Sequence, residues 1–168
     1  MWLPMHIQTV GLTEPEHTPL LLLRETTGQR CLALGIGEAE AMAITLARTQ
    51  QRPPRPLTHD LLGDVIRALG THVEQVRITE LREETFYAEL VFPDNTIVSA
   101  RPSDAVALAV RTETPLVADD TLLAEHGIPA GDITDETAAS PQQSEDQIAQ
   151  FRTFLDQISP EDFGDNPP

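Results

Sequence analysis

The sequence contains no lysine and only one cysteine, Cys31, among its 168 residues. A single cysteine excludes an intramolecular disulfide and is too few for a cysteine-rich zinc module or an iron–sulfur cluster. Aromatic residues make up 4% of the chain, and no apolar run approaches the ~18 residues that a membrane-spanning helix needs. The first residues also lack the basic and apolar regions of a signal peptide. We therefore expect a soluble, cytoplasmic protein with no membrane partner.

Positive charge is scarce, since 11 arginines stand against 27 acidic residues and the net charge is −16. Residues 1–128 and residues 129–168 carry equal shares of this excess, because the second stretch contains a single arginine, Arg152. Long duplex DNA is normally bound by a basic surface that neutralises its phosphates. A nucleic-acid role would therefore need a local arginine site, and short or single-stranded substrates are favoured over long duplexes.

Apolar periodicity predicts an α+β fold for residues 1–128. We expect a largely antiparallel mixed sheet of short strands with three or four helices, in which the fold proper begins near Pro19. The predicted strands are residues 7–12, 20–24, 30–36, 73–79, 85–92, 96–100 and 116–118. The predicted helices are residues 38–47, 58–69, 103–112 and 121–126.

The second predicted helix has the clearest amphipathic pattern. Thr58 is expected to cap its start and Gly70 to close its end. Its apolar residues share one face, which we expect to be buried. This predicted stripe consists of Leu61, Leu62, Val65, Ile66 and Leu69.

Residues 40–44 resemble residues 104–108, and each follows a strand, a turn and a second strand. The similarity is compatible with an internal duplication of a strand–turn–strand–helix unit, although five small residues can agree by chance. A duplication would place the two acidic helix starts at comparable positions in the fold.

The last 40 residues differ in composition from the rest of the chain. Residues 129–143 are rich in small and polar residues and are predicted to form a flexible linker. Residues 144–168 are predicted to form an amphipathic helix and an acidic tail. An apolar stripe on a mobile tether is typical of a docking element, so this helix is expected to bind a sister subunit or another protein.

Polar side chains concentrate at the starts of three predicted helices. Carboxylates can hold Mg²⁺ or Mn²⁺, arginines can stabilise phosphoryl charge, and a histidine can move a proton, so the set suits phosphodiester cleavage if the three starts meet. The alternative is that the same residues only cap helices and complement their dipoles. The candidate catalytic residues are Arg55, His59, Asp60, Arg101 and Asp104, and the candidate metal ligands are Glu38 and Glu40.

Motifs of other enzyme classes are absent from the sequence. It contains no P-loop, no complete dinucleotide-binding glycine fingerprint, no HExxH helix and no nucleophile elbow. Cys31 lies in a predicted strand, where a core thiol is more typical than a nucleophile.

Three segments resemble, in order and spacing, the three signatures of the bifunctional nuclease family. They are Leu-Gly-Ile-Gly-Glu-Ala-Glu-Ala at residues 34–41, Pro-Pro-Arg-Pro-Leu-Thr-His-Asp-Leu at residues 53–61, and Ala-Arg-Pro-Ser-Asp-Ala-Val-Ala-Leu-Ala at residues 100–109. The resemblance covers about residues 5–128 and implies a compact α+β protein with nuclease activity, which is attributed to the plant members for DNA and RNA. Gly35 departs from the pattern, because a bulkier residue is expected there. All seven candidate residues occupy polar positions of these motifs.

Two functional hypotheses follow. The first is a nuclease in which His59 transfers a proton, Arg55 and Arg101 stabilise phosphate, and the carboxylates hold a metal or orient other groups. The second is a non-catalytic interaction module whose C-terminal helix docks on a partner. Under either hypothesis we expect a homo-oligomer, with a dimer as the simplest case, because a solitary sheet of short strands gains by pairing.

Overall fold

The computed structural model describes residues 1–13, 15–51 and 53–132, in which eight strands are combined with four α-helices. The strands are β1 (Trp2–Leu12), β2 (Pro19–Glu25), β3 (Arg30–Gly35), β4 (Gln75–Arg82), β5 (Thr85–Val91), β6 (Ile97–Ala100), β7 (Leu116–Asp119) and β8 (Ile128–Pro129). The helices are α1 (Glu38–Arg48), α2 (Thr58–Ala68), α3 (Pro102–Thr112) and α4 (Asp120–His126), and a 3-10 turn (Ala130–Asp132) follows β8.

All eight strands belong to one sheet, with the order β6-β5-β4-β7-β1-β2-β3-β8. Only the contact between β4 and β7 is parallel, and the other six are antiparallel. The predicted α+β class and the largely antiparallel mixed sheet are therefore confirmed.

The expectation that the fold begins near Pro19 is wrong, because β1 lies in the middle of the sheet. Its first residues pair with β7, and residues from Met5 onward pair with β2. Met5 itself is buried. The predicted strand at residues 7–12 covers only the second half of β1, and Pro4 interrupts the sequence pattern of the first half, since proline is uncommon within strands.

The hydrophobic core forms where α1 and α3 pack against each other and against the sheet. Ile44 of α1 and Val106 and Leu108 of α3 are fully buried there, next to Leu21 and Ile78 from the strands. Both helices follow an antiparallel strand pair: β2, β3 and α1 in one case, β5, β6 and α3 in the other. The two units thus share the predicted strand–turn–strand–helix order, and their helices lie side by side.

The predicted burial of the apolar stripe on α2 is wrong for four of its five residues, whereas Ile66 is partly buried and packs against the core. Leu61, Leu62, Val65 and Leu69 are 53%, 39%, 46% and 76% exposed, respectively. Periodicity shows which residues share a face but not which face is covered. In this helix the covered face is the one that carries the buried Gly63, where a Cβ atom would come into van der Waals contact with Leu108 and Thr112 of α3.

Charged groups hold α2 on α3. The Arg111 Nε of α3 donates a hydrogen bond of 2.7 Å to Oδ1 of Asp60, and its Nη1 donates one of 2.8 Å to the Ala107 carbonyl. The second carboxylate oxygen of Asp60 accepts the backbone N–H of Leu57 at 2.9 Å. Leu57 is thus the cap position of α2, and the prediction that Thr58 caps it is wrong.

The predicted linker and C-terminal helix lie outside the described residues, except for the end of β8 and the 3-10 turn that follows it. Within the described ranges no helix is both long enough and apolar enough to span a membrane.

We expect Asp60→Asn to lower the free energy of unfolding by about 2–3 kcal/mol, because it removes the carboxylate partner of a guanidinium that is only 9% exposed. The matched control is Asp64→Asn, which removes an exposed ion pair with Arg67 on the same helix. The control should cost no more than about 0.5 kcal/mol. Urea unfolding at neutral pH measures both values, and equal losses would contradict a role for Asp60 in docking α2.

The same pair of proteins tests a pH dependence. Burial disfavours the charged form of Asp60, but hydrogen bonds from the Leu57 N–H and Arg111 outweigh it and hold the pKa of this carboxyl below its ordinary value. The stabilisation is therefore present above the unfolded pKa of about 4 and is lost as the pH falls toward the lower folded pKa. The stability gap between wild type and Asp60→Asn should be constant near neutral pH and shrink below about pH 4. A gap that stays constant in acid would show that the charge of Asp60 is not its cause.

Candidate functional site

The starts of α1, α2 and α3 meet at one cavity of about 1120 Å³. The end of β1 and the first turns of α1 form one part of its wall, and the segment that leads into α2 forms another. Its polar lining includes Glu38, Glu40, His59, Arg101 and Asp104. The three polar helix starts are far apart in the sequence. They lie close together in the fold because α3 packs against both α1 and α2.

Asp104 is the common partner of two of these side chains. Nε2 of His59 lies 3.0 Å from Oδ1 of Asp104. The guanidinium of Arg101 donates from Nε to Oδ2 at 2.6 Å and from Nη2 to Oδ1 at 3.1 Å, a two-point contact with the same carboxylate. Asp104 therefore fixes an imidazole and a guanidinium on one side of the cavity.

Glu40 extends this network to α1. Nη2 of Arg101 also donates a hydrogen bond of 2.8 Å to Oε1 of Glu40, whose side chain is 17% exposed. The other carboxylate oxygen of Glu40 lies over Gly37, where a Cβ atom would collide with it. Glycine is therefore required at residue 37 for Glu40 to keep this position.

The electrostatics of the network favour an ionised Asp104. Burial acts to raise the pKa of this carboxyl, but hydrogen bonds from Arg101 and His59 outweigh burial and hold the pKa below its usual range. The same contacts with Asp104 and Glu40 raise the pKa of Arg101, so the guanidinium stays charged. Three carboxylates, with Glu38 included, face one permanent cation, so the cavity carries negative charge unless a ligand supplies a cation.

Glu38 and Glu40 are the candidate metal ligands, and their situations differ. Glu38 is exposed at the cavity and has no ion pair among the described residues, whereas Glu40 gives one oxygen to Arg101. Within the described ranges no three His, Cys, Asp or Glu side chains are grouped as a complete metal site. Mg²⁺ is often held by only one or two carboxylates together with substrate phosphates. The role of Glu38 and Glu40 as metal ligands stays a prediction.

Two predicted catalytic residues lie apart from the network. Asp60 does not line the cavity, and its two oxygens are bound by Leu57 and Arg111, which gives it a structural task. Arg55 is exposed and has no ion pair within the part of the chain that the structure describes, although its neighbour Pro56 lines the cavity. The catalytic roles of both residues stay predictions.

Three residues of this region were missed by sequence reasoning. His17 lines the cavity from the connection between β1 and β2, with a φ of 53° that is uncommon outside glycine. Gly37 makes room for Glu40, and Arg111 anchors the helix that carries His59. The sequence signals were weak, because His17 stands in a proline-flanked turn and Arg111 matches the ordinary pattern of a basic residue at a helix end.

Comparisons with known proteins identify the family. The family model of the bifunctional nuclease domain matches residues 21–131. An uncharacterized protein of Mycobacterium tuberculosis is 46% identical over 159 residues, which are 94% of this chain and 96% of that protein.

The plant proteins are more distant and longer, so the chain spans less than half of their length. Bifunctional nuclease 2 of Arabidopsis thaliana is 27% identical over 133 residues, which are 74% of this chain and 40% of that protein. Bifunctional nuclease 1 of Oryza sativa subsp. japonica is 24% identical over 142 residues, which are 81% of this chain and 42% of that protein.

These matches confirm the resemblance carried by the three sequence motifs and support a nuclease-like role at the level of the family. The charged side chains and the histidine His59 that line the cavity from α1, α2 and α3 lie within the matched residues and come from all three motifs. The chain belongs to the bifunctional nuclease domain family.

Proposed function

We propose that this protein is a cytoplasmic nuclease that hydrolyses phosphodiester bonds of DNA or RNA in the cavity where α1, α2 and α3 begin. The observation that carries the proposal is the contact of His59 and Arg101 with one carboxylate, that of Asp104, at 3.0 Å and 2.6 Å. A proton-transfer group and an anion-binding group are thus held side by side, which is the combination that phosphoryl transfer to water requires.

His59 is the proposed proton-transfer residue. Its side chain is 13% exposed, and a hydrogen bond from Nε2–H to Asp104 fixes the orientation of the ring. Nδ1 then remains as the acceptor for a proton of the attacking water. The new bond joins the water oxygen to phosphorus, the bond from phosphorus to the ester oxygen breaks, and solvent protonates the departing alkoxide.

Arg101 is the proposed phosphate-stabilising residue. Its side chain is 66% exposed, and its bonds to Asp104 and Glu40 use Nε and Nη2. Nη1 is not used in these bonds and can donate to a phosphate oxygen, where charge develops in the transition state. Arg55, which stands exposed beside the cavity-lining Pro56, is a second candidate for phosphate contact.

The charge around the cavity limits the substrate. Because Glu38, Glu40 and Asp104 outnumber Arg101 at the site, a polyanion is repelled unless a cation offsets them. Short or single-stranded nucleic acids present fewer phosphates to this surface than a long duplex does. We propose Mg²⁺ or Mn²⁺ as the compensating ion, with Glu38 and Glu40 as its protein ligands. Such an ion would supply charge neutralisation for the phosphate.

The second hypothesis is a non-catalytic interaction module whose C-terminal helix docks on a partner. It rests on the apolar stripe predicted for residues 144–158, which lie outside the described part of the chain. The two hypotheses differ in the effect of site substitutions on cleavage, so one assay separates them.

We expect His59→Ala to lower the cleavage rate of a fluorescent single-stranded oligonucleotide by about 10²- to 10⁴-fold, the usual contribution of a general base. Asp104→Asn should lower the rate by about 10²-fold or more, because it weakens the hold on both His59 and Arg101. The matched control is His126→Ala on α4, a more exposed histidine that does not line the cavity and should retain the wild-type rate.

Initial rates of the purified proteins across a pH series measure these effects, and circular dichroism confirms that each variant is folded. Equal cleavage by wild type, His59→Ala and Asp104→Asn would identify a contaminating nuclease and would contradict the proposal.

Chelation should abolish cleavage, and added Mg²⁺ or Mn²⁺ should restore it. Glu38→Gln is expected to raise the cation concentration needed for half-maximal rate by roughly 10-fold, because it removes a carboxylate ligand. Glu125→Gln on α4 removes an equal charge away from the cavity and serves as the control. Calorimetric titration with Mn²⁺ gives the same comparison without a substrate. Undiminished cleavage in chelator would exclude a metal requirement while leaving the roles of His59 and Asp104 in place.

A further inference from the structure

Helix α2 has two faces of opposite character. The inner face carries His59, Asp60 and Gly63. His59 contacts Asp104 and Asp60 contacts Arg111, while Gly63 faces the C-terminal part of α3. The outer face carries a leucine stripe, defined here as Leu61, Leu62, Val65 and Leu69. These four residues fall within an arc of about 100° on a helix of 3.6 residues per turn. The helix thus contacts the rest of the fold through this inner face and Ile66, and leaves the leucine stripe outward.

The leucine stripe is the largest group of exposed aliphatic side chains on any described helix. A soluble monomer rarely leaves such a group open, and contiguous apolar patches mark contact sites. Leu69 is 76% exposed. Burial of Leu69 and its three neighbours at an interface would remove apolar surface from water, which favours association.

The charge distribution favours a second copy of the chain as the occupant. Two copies that each carry a net charge of −16 repel each other over most of their surfaces. The stripe itself contains no charged residue, and the adjacent charges, Asp64 and Arg67, neutralise each other in an ion pair of 2.8 Å. Two acidic chains can therefore approach each other here with little repulsion.

The spacing of the stripe is symmetric about Val65. Leu61 and Leu69 lie four residues before and after it, and Leu62 and Ala68 lie three residues before and after it. A two-fold axis through Val65 makes two antiparallel helices present the same surface to each other, as a two-fold dimer requires. Such an axis places Leu61 opposite Leu69 of the partner subunit and Val65 opposite its own copy.

We propose that the leucine stripe of α2 is a homodimer interface in which α2 packs antiparallel to α2 of a second copy. The helix has 11 residues and is about 16 Å long, so the contact lies at the small end of specific interfaces. We therefore expect a concentration-dependent dimer with a dissociation constant on the order of micromolar. This inference is independent of the proposed nuclease activity. Because His59 lies in the first turn of the same helix, the proposed interface also fixes the two cavities relative to each other.

Sedimentation of the full chain over a micromolar concentration series tests the interface. Wild type should be a dimer at high concentration, and Val65→Glu should raise the dissociation constant by at least ~10-fold, since the axis brings two like charges together. The matched control is Ile97→Glu, which adds the same charge at a 52% exposed residue of the edge strand β6 and should remain dimeric. Circular dichroism and thermal unfolding check that each variant is folded.

A mixing experiment tests the two-fold axis itself. Val65→Glu and Val65→Lys should each be monomeric alone and form a heterodimer when mixed, because residue 65 of each chain then faces the opposite charge. A monomeric wild type at every concentration, or a dimer that survives Val65→Glu, would overturn the proposal. A dimer lost in the double variant Phe151→Glu, Leu155→Glu but kept in Val65→Glu would assign the contact to the C-terminal segment and would overturn it as well.

Discussion

The candidate site depends on one carboxylate that serves three helices. Asp104, in the first turn of α3, accepts hydrogen bonds from Arg101 on its own helix start and from His59 on α2. Arg101 in turn binds Glu40 on α1. A shift of α1 or α2 relative to α3 would lengthen the Arg101–Glu40 or the His59–Asp104 bond, because these two bonds join different helices. The polar network and the packing of α1, α2 and α3 are therefore parts of the same constraint.

The contacts beneath this network are of two kinds. α1 and α3 are held together by an apolar core, in which Ile44 and Leu108 are fully buried. α2 is held on α3 by the Asp60–Arg111 pair, and the packing of Ile66 against the core supplements this polar contact. An apolar contact tolerates small sliding, whereas a buried guanidinium is satisfied only where a carboxylate meets it. The imidazole of the site is thus placed by the more directional of the two kinds of contact.

Much of the fold could be predicted from local signals, since periodicity and turn residues located α1, α3 and most strands. The failures have physical causes. β1 was underestimated because its stability comes from pairing with both β2 and β7, which no local pattern records. The exposed residues of α2 were predicted to be buried because an amphipathic pattern does not show which face of a helix the core covers.

The sequence located several polar residues of the cavity but not all of their contacts. Helix starts that combine acids with arginine and histidine drew attention to Glu40, His59, Arg101 and Asp104, and the fold brings these four together. The contact of Asp60 with Arg111 joins residues 51 positions apart, so its structural task could not be read from a single segment.

The separation of α2 into a docking side and an outward side has a wider meaning for the family fold. In the proposed dimer, substitutions along the outward side change how copies assemble, while the opposite side continues to hold the histidine in place. Quaternary structure and chemistry can then diverge independently on a single 11-residue helix.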